Sequence, residues 1–329
     1  MPEIRKDPVF GRWVIVAAER GLRPNDFRPD QGKDGSNCPF CAGREESTPP
    51  TLYSLPGPGG AWRLRVVRNK YPALISGGSP ENRREGIYEH MDALGIHEVI
   101  IETPEHGLRL EEQPGEAIAD VLKTYILRVK EIKKDPGIKY VMIFKNHGRN
   151  AGASLLHPHS QLVGLPMSPI RVLQELNGAK QYFFENGSCV FCDIVREESA
   201  FEKRIVAQNA DFLAITPYAS RFSFEMWILP RAHNSHFEDM PEAAAGALAG
   251  VLKTVLSKLA TSLKDLSYNL IVHTMPVQEP AAENYHWHIE IMPKLSHVAG
   301  FEWGTGFYIN TISPEAAAEI LNSGKSFTL

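Results

Sequence analysis

Four cysteines occur in the 329 residues, and all fall into two Cys-x-x-Cys pairs, Cys38-Pro-Phe-Cys41 and Cys189-Val-Phe-Cys192. Downstream of each pair lies a His-x-His motif, His157-Pro-His159 after the first and His286-Trp-His288 after the second. A Cys-x-x-Cys pair is either a redox dithiol or half of a tetrahedral metal site. Its duplication, with phenylalanine before the second cysteine each time, favours the metal, because a redox dithiol needs only one copy. With no cysteine left over, each site must be completed by two histidines. Mixed thiolate–imidazole ligation suits zinc, giving two ions in all.

An internal repeat supplies those histidines. The apolar run Glu98-Val-Ile-Ile-Glu-Thr-Pro-Glu-His106 is matched by Glu225-Met-Trp-Ile-Leu-Pro-Arg-Ala-His233. Each is followed by a segment with helical apolar spacing, over 114–134 and 241–263, and both helices contain Val-Leu-Lys-Thr. Each helix leads to a strand that opens with tyrosine, at Tyr140 and Tyr268, and each strand leads to its His-x-His. The repeat thus predicts one site from Cys38, Cys41, His106 and His157, and a second from Cys189, Cys192, His233 and His286. His97 and His147 have no counterpart in the repeat and are open to lining a pocket. His90, His236, His273 and His297 also fall outside it.

In an extended strand, residues i and i+2 share a face, so His159 is expected beside a metal-anchored His157. A nucleophile needs that rigidity. Directly upstream, the polar stretch from Asn146 through Gly152 to Ser154 offers backbone N–H groups and a hydroxyl for phosphate oxygens. It lacks the spacing of a Walker loop.

Composition sets the outer limits. Lys and Arg total 35 against 39 Asp and Glu, a net charge of −4. That balance argues against a general nucleic-acid binder. No apolar run approaches the roughly 18 residues of a membrane span, and the first residues contain no apolar signal region, so a cytoplasmic location is expected. Length favours about two domains.

The segment Gly152-Ala-Ser-Leu-Leu-His-Pro-His-Ser-Gln161 resembles the active-site signature of the galactose-1-phosphate uridylyltransferase family, a branch of the histidine-triad superfamily. Arg5-Lys-Asp-Pro-Val-Phe-Gly-Arg-Trp-Val14, Arg20-Gly-Leu-Arg-Pro24, Cys-Pro-Phe-Cys, Asn69-Lys-Tyr-Pro-Ala-Leu74, Thr103-Pro-Glu-His106 and Gly300-Phe-Glu302 are similar to that family in the same order.

The resemblance implies ping-pong transfer through a nucleotidyl-histidine on His159. Gln161 would contact a phosphoryl oxygen, and Ser154 and Asn146 the diphosphate. Arg20, Arg23 and Asn69 would lie near the nucleotide or phosphates, with Gly152 in the phosphate loop. Gly300, Phe301, Glu302 and Tyr308 would meet the acceptor sugar. The implied partners are a nucleoside diphosphate sugar and a hexose 1-phosphate, in a homodimer that touches neither nucleic acid nor membrane.

Ser160, Tyr308 and the second Cys-x-x-Cys depart from the enterobacterial pattern. The Gly-Thr-Gly-Phe-Tyr-Ile-Asn stretch is also similar to ADP-glucose phosphorylase, but Pro158 is the transferase-like choice. UDP-glucose:hexose-1-phosphate uridylyl transfer is therefore the expected activity, with ADP-glucose phosphorolysis as the alternative. A zinc-stabilised, non-catalytic nucleotide-binding protein is the competing class.

The expected fold is α+β, with two histidine-triad-like halves over 1–172 and 173–329. Pseudo-twofold symmetry should relate them, with antiparallel sheets that join and helices packed across. The boundary is placed around Ser168-Pro-Ile and Leu176-Asn-Gly. The second half reads as degenerate, because Trp287 replaces the proline, Glu290 replaces Gln161 and no polar glycine loop precedes His288.

Overall fold

The computed structural model describes residues 2–17, 37–78 and 81–327. The chain begins with two short strands, β1 (Glu3–Lys6) and β2 (Trp13–Val16), and continues with β3 (Thr51–Pro56) and β4 (Trp62–Arg68). A hairpin, β5 (Asn82–Glu85) and β6 (Tyr88–Asp92), precedes β7 (Ile96–Ile101), helix α1 (Gly115–Ile132), β8 (Tyr140–His147) and β9 (His159–Leu165). Two helices follow, α2 (Ile170–Asn186) and α3 (Val190–Phe201). Then come β10 (Ile205–Gln208), β11 (Phe212–Ile215), β12 (Met226–Pro230), α4 (Ala244–Ser262), β13 (Tyr268–His273) and β14 (His288–Pro293), before α5 (Gly300–Thr305) and α6 (Pro314–Ser323).

Ten strands form one antiparallel sheet in the order β10-β11-β12-β14-β13-β8-β9-β7-β4-β3. The order is palindromic in the repeat: β13 corresponds to β8, β14 to β9, β12 to β7, β11 to β4 and β10 to β3. The central register is symmetric as well. Matching Tyr140 to Tyr268 exchanges the pair Ile143↔Val272 with the pair Phe144↔Ile271, and both pairs are present. A second sheet, β2-β1-β6-β5, stands apart and has no copy in the other half among the described residues.

Helices α1 and α4 lie on one face of the large sheet and share a single core. Ile118, Val121, Leu122, Tyr125 and Val129 recur at helical spacing on α1, as do Leu248, Val251, Leu252, Val255 and Leu259 on α4. Each such buried side chain contributes about 1.5–3 kcal/mol relative to exposure. By length and composition α4 is apolar enough to cross a membrane, yet its buried stripe packs here against α1 and α6.

The opposite face differs between the halves. Over the second half it is covered, with Leu176 and Ala179 of α2 and Phe191 and Val195 of α3 packing around Leu213, Leu229 and Tyr285. Over the first half, among the described residues, it forms a cavity. The stretch 168–180, around which the boundary is expected, is mostly α2. Pro169 precedes the first turn, where a missing N–H costs nothing, and Gly178 is carried inside the helix.

Candidate active site and metal centres

Cys38, Cys41, His106 and His157 converge with their ligand atoms within 4.8 Å of one another, as do Cys189, Cys192, His233 and His286. A tetrahedral zinc ion with ordinary bond lengths has S···N edges of about 3.5 Å. The clusters match. Cys41 Sγ lies 3.5 Å from His106 Nδ1 and 3.6 Å from His157 Nδ1, and Cys38 Sγ lies 3.6 Å from His157 Nδ1. In the second cluster Cys192 Sγ lies 3.3 Å from His233 Nδ1 and 3.6 Å from His286 Nδ1.

The rings are oriented for this task. His157 Nε2 donates to Thr103 O at 2.7 Å, His233 Nε2 to Ala282 O at 2.9 Å and His286 Nε2 to Pro230 O at 2.9 Å. Each bond puts the proton on Nε2 and leaves the Nδ1 lone pair for an ion. Burial pushes His157 and His286 down to about 4, so both are neutral. Burial and the adjacent thiol raise Cys38 and Cys192 to about 12, so a bound cation would be needed to draw their protons off.

From the first cluster the chain turns into β9. Ile101 pairs with His159, so the ladder begins at His159, and His157 occupies the bend before it rather than the strand. The two rings therefore diverge: His157 joins the cysteines, while His159 lines a cavity of about 210 Å³ with Phe40, Asn69, Tyr71, Ser154 and Gln161. His159 Nδ1 donates to His157 O at 2.8 Å. Phe40, between the first two cysteines, stands edge-on to His159 with ring centroids 5.3 Å apart.

The loop over 148–154 behaves differently from expectation. Gly152 N–H is bonded to Arg149 O and Ala153 N–H to Gly148 O, which ties those donors up within the turn. Ser154 remains at the cavity. Asn146 does not line it. Its Oδ1 accepts from Asn269 Nδ2 at 2.7 Å, a contact with the second half. Asn69 lines the cavity, and its Oδ1 accepts from Tyr71 N–H at 2.8 Å. Arg20 and Arg23 lie outside the described residues.

Beneath His159, on the helix face, lies a buried polar network that the sequence did not announce. Lys145 donates to Glu102 Oε2 at 2.7 Å and to His159 O at 3.3 Å. Ser160 donates to the other oxygen of Glu102 and accepts from Tyr125 Oη. On the open face, His97 bonds Gln161 Oε1 at 2.9 Å. His147 instead stacks on Tyr268, away from the cavity lining. The parity of β7 was the available signal for His97, since Val99 pairs with Gln161 and His97 stands two residues away on the same face.

In the second half, His288 is 2% exposed. It is enclosed by Phe191, Trp227 and a parallel His273 ring at 4.5 Å. His273 lies between Glu175 Oε2 at 2.8 Å and Glu290 Oε2 at 3.2 Å. Burial lowers its pKa, but the two carboxylates outweigh burial and raise it to about 10. Glu175, His273 and His288 also bring three ligand atoms within 4.8 Å. Gly300, Phe301 and Glu302 are helical in α5, and none of these three nor Tyr308 lines the His159 cavity. Tyr308 packs against Phe222.

Comparison with known proteins agrees with this architecture. The family model described as galactose-1-phosphate uridyl transferase, N-terminal domain, matches residues 1–169, and a domain of unknown function, DUF4921, matches 122–323. ADP-glucose phosphorylase from Arabidopsis thaliana is 39% identical, over 97% of this chain and 92% of that protein. Galactose-1-phosphate uridylyltransferase from Thermotoga maritima is 30% identical over 98% of each chain. The crystal structure of an Arabidopsis thaliana ADP-glucose phosphorylase with bound ADP-glucose superposes with a TM-score of 0.77 at 37% identity, over 100% of both chains. The chain belongs to the galactose-1-phosphate uridylyltransferase family of nucleotidyltransferases.

Proposed function

We propose that the protein carries out ping-pong nucleotidyl transfer from a nucleoside diphosphate glucose, with His159 as nucleophile. The observation that carries this is the bond from His159 Nδ1 to His157 O. A carbonyl only accepts, so the proton is on Nδ1 and the lone pair on Nε2, in a ring that lines the cavity. Nε2 attacks the α-phosphorus, and the bond to the bridging oxygen breaks, releasing hexose 1-phosphate with the electron pair. An acceptor phosphate oxygen then attacks the same phosphorus, and the Nε2–P bond breaks to restore the imidazole. Gln161 and Ser154 are positioned to donate to the phosphoryl oxygens as charge shifts. Zinc is the proposed occupant of both Cys2His2 clusters, and at the first it would fix the backbone on which His159 is carried.

UDP-glucose and a hexose 1-phosphate are the proposed donor and acceptor, supported by Pro158 and by the Thermotoga maritima relative. Adenylyl transfer from ADP-glucose to phosphate is the second reading, favoured by the 39% identity to the phosphorylase. A homodimer belongs to the proposal. Phe301, Trp303 and Phe307 are exposed, so their segment is available to a partner's site. Intact-protein mass spectrometry after incubation with UDP-glucose or ADP-glucose tests the reading. A uridylyl or adenylyl adduct, absent from His159→Ala, is expected. No adduct from either sugar defeats the mechanism and leaves the non-catalytic binding protein.

A further inference from the structure

Gln161 can help an anionic phosphoryl group only if its amide N–H groups, and not its carbonyl, face the cavity. Nothing in a glutamine's shape decides this, because the two ends of the amide are nearly isosteric. Its neighbour decides it. His97 is 5% exposed on β7, and its Nδ1 lies 3.0 Å from the backbone N–H of Ala73. That N–H is fixed by the backbone and can only donate, so Nδ1 must be the unprotonated nitrogen. The proton of a neutral imidazole is then on Nε2, which lies 2.9 Å from Gln161 Oε1. Oε1 accepts, and the –NH2 end of Gln161 is left for the cavity that the residue lines.

One neighbouring contact could argue for the opposite tautomer. Asn69 Nδ2 is 3.1 Å from the same His97 Nε2. Moving the proton to Nδ1 would satisfy that amide but would set two N–H groups against each other at Ala73. Asn69 keeps its Oδ1 bond from Tyr71 N–H and a second amide hydrogen in either tautomer, whereas the backbone N–H of Ala73 has a single hydrogen whose direction is fixed. The loop that carries Ala73 also carries Asn69 and Tyr71 of the cavity wall, so one ring joins that wall to Gln161.

We propose that His97 is a positioning residue. Held in the Nε2–H tautomer by the Ala73 N–H, it grips Gln161 Oε1 and presents the Gln161 amide donors beside His159. This rests on the reading of His159 as the nucleophile, and it adds that a residue with no place in the repeat governs a donor next to it.

The experiment has two arms. In the first, 15N-histidine NMR of the metal-loaded wild-type protein, assigned with His97→Gln, reads the tautomer without reference to activity. Nε2–H is expected, and Nδ1–H overturns the proposal. In the second, single-turnover nucleotidylation by UDP-glucose and ADP-glucose is measured for His97→Phe, Gln161→Ala and the double variant.

Each single change should slow adduct formation by about 100- to 1,000-fold, in the range for loss of one transition-state donor, with the donor Kd nearly unchanged. The double variant should be no slower than Gln161→Ala, because His97 acts through Gln161. His97→Gln, which keeps a donor towards Gln161, should recover part of the rate and covers the case where His97→Phe does not fold. Multiplying losses in the double variant, or a loss confined to Kd, would mean that His97 only props the 69–73 loop. If the wild type forms no adduct, the His159 reading fails, while the tautomer arm still decides the hydrogen bonding.

Discussion

Lys145 Nζ lies 3.3 Å from the backbone carbonyl oxygen of His159 and 2.7 Å from Glu102 Oε2, both side chains being almost wholly enclosed. The proposed nucleophile is thus gripped from both sides of the sheet. Above, its Nδ1 is tied to His157 O; below, its carbonyl is held by an ammonium whose charge is balanced by Glu102. Glu102 N–H also donates to Pro158 O at 3.2 Å, so the same residue holds the bend between the two histidines.

Removing one member of this pair should be costly. Lys145→Met leaves the Glu102 carboxylate buried and unpaired, and a loss of about 3–5 kcal/mol is expected in urea unfolding. Lys145→Met with Glu102→Leu should recover at least half of it. A single-variant cost below about 1 kcal/mol would show that water reaches the pair.

The two metal centres should separate in their effects. Cys41→Ser and Cys192→Ser should each lose one of the two proposed ions by elemental analysis. Only Cys41→Ser should abolish labelling of His159, because only that cluster contains His157. Cys192→Ser should keep the adduct and melt at a lower temperature. A folded Cys192→Ser protein without labelling would contradict this division.

His273 makes stability pH-dependent on the alkaline side. The groups facing it are Glu175, Glu290 and the stacked His288, with Arg221 beyond Glu290. Its folded pKa is raised from 6.5 to about 10. Its contribution is therefore complete below the unfolded value and is lost as pH rises through the folded one, between about pH 7 and pH 10. Glu175 is lowered from 4.5 to about 2, so its own share is lost on the acid side, as pH falls between those values. Urea midpoints across this range should fall for the wild type and stay flatter for His273→Gln. Parallel curves would refute the assignment.

Gly148 should tolerate no side chain. Its φ is 80°, and a Cβ there would come within 2.2 Å of Ser267 Oγ and 3.1 Å of Ser267 Cα. Gly148→Ala should cost about 1–3 kcal/mol in thermal melting. Ser267→Gly should return only the steric part, since the left-handed backbone stays strained.

Much of this arrangement was legible because metal ligation restricts residue types so severely. Cysteine pairs and histidines at matched spacing pointed to two clusters, and the tyrosine-led strands gave the repeat that orders the ten-stranded sheet. Residues acting through protein neighbours left no such trace. Lys145 of β8 and Glu102, just past β7, are common types, and their meeting across β9 depends on register. His97 is one unrepeated histidine, and its partner Ala73 offers a backbone group that no sequence displays. The small sheet was missed because its strands are only four or five residues long. Cover of the second half by α2 was not legible because the helix follows the boundary proline and belongs to no part of the repeat read from the sequence.

The antiparallel pairing of β8 with β13 brings the same edge of each repeat against itself. A strand edge left open is a template for any passing chain. Each half conceals the other's bare edge, so the second half, whose own histidine pair is sealed, is still indispensable as a permanent chaperone for the first. Cleavage between β9 and β10 should therefore yield not two small soluble proteins but two sticky fragments that recover only together.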